Sequence, residues 1–399
     1  MLRKKYHELY EHLLSREMTV LIGARQTGKS TILKQLADAL TASGEVMVMI
    51  NLERKDILID LDQNPENIFK YLPSLSEGRM FALIDEIQYL SDPTNFLKLL
   101  YDEHAEQLKI VATGSSAFYI DRQFKDSLAG RKKIFELQTL DFEEFLTFRG
   151  EESDLRELLR LRSGEIEKST AEARLWAALE NYLTYGGYPA VVLENSPKHK
   201  IERLQDLKDS FVKRDMLESG ISDETRFYRV MMLLAAQVGN LLNINELANT
   251  LQLPRATIDQ FLYVLQKCFH ISLVRPFFQN LRKELVKMPK PYFRDLGLRN
   301  ALVNYFAPLE QRMDKGALLE NYVYRRLTEQ YAQDQIKFWR TADGNEVDFV
   351  VEETAFGGKA IETKFSPAEA NPNKYRKFTE AYPDFPLEFR SWGDGGLLL

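Results

Sequence analysis

MTVLIGARQTGKST, residues 18–31, decides the fold. Five mostly apolar residues run into Gly23, four residues separate it from Gly28, and Lys29, Ser30 and Thr31 open an amphipathic stretch, KSTILKQLADAL. GARQTGKS fits G-x-x-x-x-G-K-[ST] between a strand pattern and a helix pattern, the setting a phosphate-binding loop requires. Gly23 and Gly28 permit backbone angles that turn successive N–H groups inward. With Ala24, Arg25, Gln26 and Thr27 they form the cradle, and the following helix N-terminus favours anions. Lys29 is expected to reach the β- and γ-phosphates of ATP, the Ser30 hydroxyl to ligate Mg²⁺, and Thr31 to close the loop. The bland alternative is a glycine-rich turn that carries Lys-Ser by chance; the strand before it and the helix after it argue against that.

Three further runs, VMVMINL, MFALID and KIVATGS, are short, apolar and rich in β-branched residues, with helical patterns between them. Such runs read as buried parallel strands of a doubly wound α/β sheet. The fold class is therefore α/β: a P-loop parallel-sheet ATPase core over residues 1–150. FALIDEIQ ends a strand on Asp85, where open sheets bind ligands. Asp85 is the candidate magnesium-side carboxylate and Glu86 the candidate base that orients the attacking water. Thr113, Ser115 and Ser116 end the KIVATGS strand where a hydroxyl can meet the γ-phosphate; an ordinary capped strand end is the alternative.

Residues 151–237 turn helical and charged, with YGGYPAVVL as a strand signal late in the segment, and read as a helical lid or linker. In 238–300, NINELANTL with Asn243 as N-cap, the turn QLP, the helix RATIDQFLYVLQKC and the strand HISLVRPFF give a winged helix-turn-helix order. Pro254–Asn300 holds nine Lys or Arg against three Asp or Glu, a local +6. That charge favours DNA or RNA, with Arg255, Thr257 and Gln260 facing a groove; docking to protein is the alternative.

Residues 301–399 run helix, three strands, helix, strand: ALLENYVYRRLTEQY, IKFWRT, EVDFVVEE, GKAIETKF, NPNKYRKFTEAY, LEFRSW. Asp348 lies on the second of these strands, Glu362 and Lys364 on the third, and the last two share one strand face. Two carboxylates and a lysine, with Glu320 on the preceding helix, predict a second divalent-metal site able to act on a phosphodiester. The set looks like the PD-(D/E)XK nuclease core, with Asp348, Glu362 and Lys364 on its motif positions. The alternative is the same fold kept for binding, with its acids in ion pairs.

Taken together, GARQTGKST, LIDEIQ, TGSSAF, LAGR, FEEFL, YGGYPAVV, NINELA, PYFRDLGLRNALV, GALLENYVY, FWRTADGNEVDFVV and IETKFS resemble bacterial and archaeal ATPases of the AAA+ superfamily that carry a C-terminal domain of unknown function. The motifs span nearly the whole chain in the family's order. Thr139 stands where that family usually has proline, and Leu296 where it usually has threonine. The resemblance implies that Arg131, in LAGR, sits at the nucleotide edge and neutralises transition-state charge in cis or from a neighbouring subunit; a structural salt bridge is the alternative.

Composition bounds the rest. Of 399 residues, 53 are Lys or Arg and 59 Asp or Glu, a net −6, which leaves −12 outside the basic segment. The single cysteine, Cys268, excludes an internal disulfide and fits a reducing, cytoplasmic setting. MLRKKYHELYEHLL has no apolar run behind its basic residues and so does not read as a signal peptide. No membrane span is expected. The favoured function is ATP hydrolysis coupled to nucleic-acid binding or cleavage. The rival is a nucleotide-dependent switch recognised by a protein partner or by further copies of the chain.

Overall fold

The computed structural model describes residues 1–73, 78–114, 128–277, 287–354 and 357–393, which fall into two compact units. The first comprises Met1–Thr139 with Lys267–Phe269, the second Leu140–Gln266 with His270–Leu399.

In the first unit the elements are α1 (Lys5–His12), β1 (Met18–Ile22), α2 (Lys29–Ala42), β2 (Met47–Asn51), α3 (Lys55–Gln63), β3 (Met80–Asp85), α4 (Pro93–His104), β4 (Leu108–Gly114) and β5 (Lys132–Glu136). The five strands form one parallel sheet in the order β2-β3-β4-β1-β5. Successive residues of a strand face opposite sides, and here both sides are covered. Ala82 and Ile84 pack with Val20, Ile110 and the α4 residues Phe96 and Leu97, while Phe81 and Leu83 pack with Leu21, Val111 and the α2 residues Ile32 and Leu36. This two-sided burial explains why β1, β3 and β4 read as unbroken apolar runs. β5 was not legible as a strand: KKIFE is an edge strand with two lysines and a glutamate, and charge is how an edge is protected.

The second unit begins with α5 (Phe142–Phe148), whose Asp141 cap and Glu144 complete a reciprocal capping box. It continues through α6 (Glu152–Arg162), α7 (Glu172–Tyr185), α8 (Pro189–Val192), α9 (Pro197–Ser219) and α10 (Glu224–Ala236). YGGYPAVVL is thus no strand. Its glycines are needed for close approach: a Cβ on Gly186 would meet Asp295 Oδ1 at 2.3 Å, and one on Gly187 the Leu140 carbonyl at 2.3 Å. Asp295 accepts the Gly187 N–H and the Leu298 N–H, so one carboxylate holds the YGGY turn and caps the helix of PYFRDLGL.

Then follow α11 (Ile244–Leu251), capped by Asn243 as expected, α12 (Arg255–Lys267), β6 (Ile271–Pro276), β7 (Lys290–Phe293), α13 (Leu296–Val303), α14 (Lys315–Leu327), β8 (Ile336–Arg340), β9 (Glu346–Glu352), β10 (Gly358–Lys364), α15 (Arg376–Ala381) and β11 (Leu387–Ser391). The helix-turn-helix order is present, but its hairpin is not a separate wing. β6 pairs with β7 and, in parallel, with β8, so that segments 238–300 and 301–399 share one six-stranded sheet, β11-β10-β9-β8-β6-β7. Contacts likewise join 151–237 to this unit.

Candidate nucleotide site and the C-terminal acid cluster

β1 delivers the chain into Gly23 with φ +154°, and a Cβ there would meet the Leu137 carbonyl at 2.1 Å. Any side chain would therefore push the loop off the strand end. Gly28, at φ +101°, is the N-cap of α2 and turns the last loop amide toward the helix. Gln26 takes the remaining positive φ, at +58°. Inside the loop, the Thr27 hydroxyl donates to the Ala24 carbonyl at 2.9 Å. Lys29 is buried, its ammonium donating to the carbonyls of Gly23 at 3.0 Å and Ala24 at 2.8 Å. Ser30 and Thr31 follow on the first turn of α2 with exposed side chains, and Arg25 is buried. One contributor had no sequence signal: Arg3 donates to the Thr27 carbonyl at 2.7 Å and to the Gln138 carbonyl at 2.8 Å, fastening the loop to the end of β5.

Asp85 ends β3, and β4 lies between that strand and β1. The Thr113 hydroxyl donates to the Asp85 carboxylate and accepts the Glu86 N–H at 3.1 Å. Thr113 therefore braces the acid pair, a role different from the phosphate contact expected of it. Asp85 is 5% exposed, and no Lys, Arg or His of the described residues lies within 4.0 Å of it. A buried carboxylate without a cation is costly, so this donor set fits a hard divalent ion held between Asp85 and the Ser30 hydroxyl. Glu86 adopts φ +61°, a left-handed conformation that costs a non-glycine residue about 1–3 kcal/mol and recurs at functional sites. The Gln88 amide donates to its carboxylate. Ser115 and Ser116 lie outside the described residues.

Residues 15–146 match the AAA domain family. This first unit resembles AAA-type nucleotide-binding ATPases, and its parallel α/β sheet has the expected class of fold. Residues 177–309 and 315–391 match two domains of unknown function, DUF8612 and DUF4143. An uncharacterized protein of Haemophilus influenzae is 28% identical over 343 residues, covering 83% of this chain and 78% of its own. An uncharacterized protein of Methanocaldococcus jannaschii is 25% identical over 347 residues, covering 85% and 73%. Among solved structures, the Aeropyrum pernix ORC1 protein in complex with DNA is 13% identical over 76% of this chain and 93% of that one, at a TM-score of 0.31. The ADP form of the Aeropyrum pernix ORC2 protein is 14% identical over 68% and 87%, at 0.34.

Arg131 is not at the nucleotide edge. It directly precedes β5, and its carbonyl accepts the N–H of Met18, the first residue of β1, so it lies at the amino end of the parallel strands. The phosphate loop is at their carboxyl end. The Arg131 guanidinium binds Asp102 in a bidentate pair, at 2.6 and 3.2 Å, and holds that carboxyl below its ordinary range. Action in cis on the nucleotide is corrected by this placement.

In the second unit, β9 and β10 are antiparallel and bring Asp348 beside Glu362. Each carboxylate accepts a backbone N–H of the other strand: Thr363 N–H to Asp348 at 2.8 Å, and Asp348 N–H to Glu362 at 3.2 Å. Glu362 also accepts from the Lys364 ammonium and from the Tyr375 hydroxyl at 2.7 Å. Glu320 belongs to a second pairing. It accepts from Tyr292 and, at 3.1 Å, from Lys290, whose ammonium also lies 2.5 Å from Glu346. Burial raises the Glu320 carboxyl. Burial, then Glu320 and Glu362, raise Asp348 well above the carboxylate range. Glu320, Asp348 and Glu362 do not offer three ligand atoms within 4.8 Å of one another; among the described residues only the surface group Glu66, Glu103 and His104 does. The expected three-acid set is thus not assembled: Lys290 pairs with Glu320 and Lys364 with Glu362, while Asp348, among the described residues, accepts only the Thr363 N–H. Neither Lys290 nor Tyr292 was singled out in the sequence, because their partners are 30 and 28 residues away.

Among the described residues, two of the basic segment's cations are also internal. Lys290 is spent on Glu320 and Glu346, and Arg299 is buried against Asp314. No helix among the described residues is long and apolar enough to cross a membrane.

Proposed function

We propose that the chain hydrolyses ATP with Mg²⁺ at the Gly23–Thr31 loop, and that the second unit is a platform whose binding partner depends on nucleotide state. The observation that carries this is Asp85: a buried carboxylate with no cation within 4.0 Å among the described residues, at the edge where the phosphate loop ends β1, with Glu86 held beside it by Thr113 and Gln88. Magnesium, when bound, neutralises phosphate charge. Lys29 exchanges its loop carbonyls for phosphate oxygens, Ser30 and Asp85 hold the ion, and Glu86 orients water and takes its proton. Glu86→Gln is expected to retain nucleotide while turnover falls about 10²–10⁴-fold, the usual cost of losing a general base. An equally fast Glu86→Gln enzyme would remove Glu86 from that role.

A second reading keeps DNA or RNA as the partner. It rests on the exposed face of α12, where Arg255, Gln260 and Tyr263 stand clear of the core. Cleavage does not follow, since Glu320 and Glu362 are neutralised by lysines rather than arrayed for a metal. A salt-dependent duplex-binding assay of native and Arg255→Ala/Gln260→Ala chains separates nucleic acid from a protein partner: phosphate contacts give a log–log slope, each lost contact removing about 0.9.

A further inference from the structure

Within the second unit, the start of α11 and one face of α12 enclose, with β6 and β8, a cavity of about 620 Å³. Pockets of roughly 300–1,000 Å³ suit small organic ligands. Among the described residues four cations line it, Arg255, Arg275, Lys287 and Lys337, against one acid, Asp334. Two of the four are engaged: Lys337 lies 2.7 Å from Glu352 and Arg255 3.7 Å from Asp259. Arg275 and Lys287 also line it and have no carboxylate within 4.0 Å among the described residues. Ile244, Leu273 and Met288 supply apolar wall between them.

The lining discriminates between anions. A duplex is read by a convex element that enters its groove, which a concavity cannot do. A single strand is held by bases stacked on aromatic side chains, and no aromatic side chain of the described residues lines this cavity. Phosphates are held by arginine and lysine side chains, and Arg275 and Lys287 both line the cavity.

We propose that this cavity binds a small phosphorylated organic molecule, its phosphate on Arg275 and Lys287 and its less polar body against Ile244, Leu273 and Met288. It is a second ligand site, in a different unit from the phosphate loop, and it does not depend on the ATPase reading. The test uses the full chain carrying Lys29→Ala, which removes the loop lysine. Calorimetric titration with inorganic tripolyphosphate is expected to give one saturable site. Adding Arg275→Gln and Lys287→Gln weakens it about tenfold or more. Adding Asp334→Asn instead tightens it, a gain that misfolding cannot mimic. Nucleoside phosphates bind more tightly than tripolyphosphate, because the apolar wall gains a partner. Absence of a saturable site, or a site indifferent to all three substitutions, overturns the proposal. So does an oligothymidylate that binds through Arg275 and Lys287 while tripolyphosphate does not, since the cavity is then part of a nucleic-acid track.

Discussion

Asp85 and Glu362 are both buried acids on strands, and their surroundings are opposite. Asp85 has a hydroxyl donor and, among the described residues, no cation within 4.0 Å; Glu362 has Lys364, Tyr375 and a backbone N–H. Glu320 repeats the second pattern with Lys290 and Tyr292. A carboxylate completed by its own protein is a structural element, whereas one left without a counter-charge is waiting for an ion. Buried carboxylates therefore have internal counter-charges at Glu320 and Glu362 in the second unit and, among the described residues, none at Asp85 in the first.

The contrast can be broken by exchanging charge for shape. Asp85→Asn should cost the most: Mg²⁺-dependent turnover falls by the several kcal/mol that a metal-side charge supplies. Glu362→Gln in the same assay should leave Mg²⁺ dependence and ATP turnover as they are. A Mg²⁺ isotherm for the second unit that disappears with Glu362→Gln would reverse the assignment. Next in size is Lys290→Met. The ammonium is 1% exposed between Glu320 and Glu346, and removing one partner of a buried pair costs about 3–5 kcal/mol. Guanidinium unfolding measures it, and a loss below about 1 kcal/mol would mean the acids find other partners.

Acid titration sharpens the comparison further. Asp348 is held well above the carboxylate range by burial and by Glu320 and Glu362. The folded chain then binds this proton more tightly than the unfolded chain. Stability contributed here is present at low pH and is lost as pH rises from the ordinary carboxylate value through the raised one. Asp348→Asn should flatten that loss, seen as a smaller fall in Tm from pH 4 upward. Unchanged slopes would mean that another group titrates. Smallest is Arg131→Ala. A solvent-screened pair with Asp102 adds little stability, so Tm drops slightly while turnover at low protein concentration holds. A large turnover loss that appears only when chains associate would instead place Arg131 at a neighbour's nucleotide.

How much of this was legible depended on the distance over which each signal acts. The phosphate loop is local: Gly23 and Gly28 are dictated by backbone angles, Lys29 and Ser30 by their offset, and Asp85 by the end of an apolar run. The three central strands, β3, β4 and β1, were readable because burial on both faces leaves no polar alternation. Asn243 was readable as a cap because it acts on its own helix. β5 was not, since an edge strand is written in charges. Nor was the Gly186–Gly187 turn, whose requirement comes from Asp295, 108 residues beyond Gly187.

The sequence by itself determined the phosphate-loop pattern, the α/β class and the order of the elements from Lys315 to Ser391, because each rests on contacts within a strand, turn or helix. Only the tertiary structure decided what the charges do. It put Arg131 at the amino end of the sheet, joined the helix-turn-helix hairpin to the C-terminal strands, and drew Lys290 to Glu320 and Lys364 to Glu362. The worth of a charge is set by the counter-charges and solvent within a few ångströms, and those neighbours come from segments that sequence spacing does not relate.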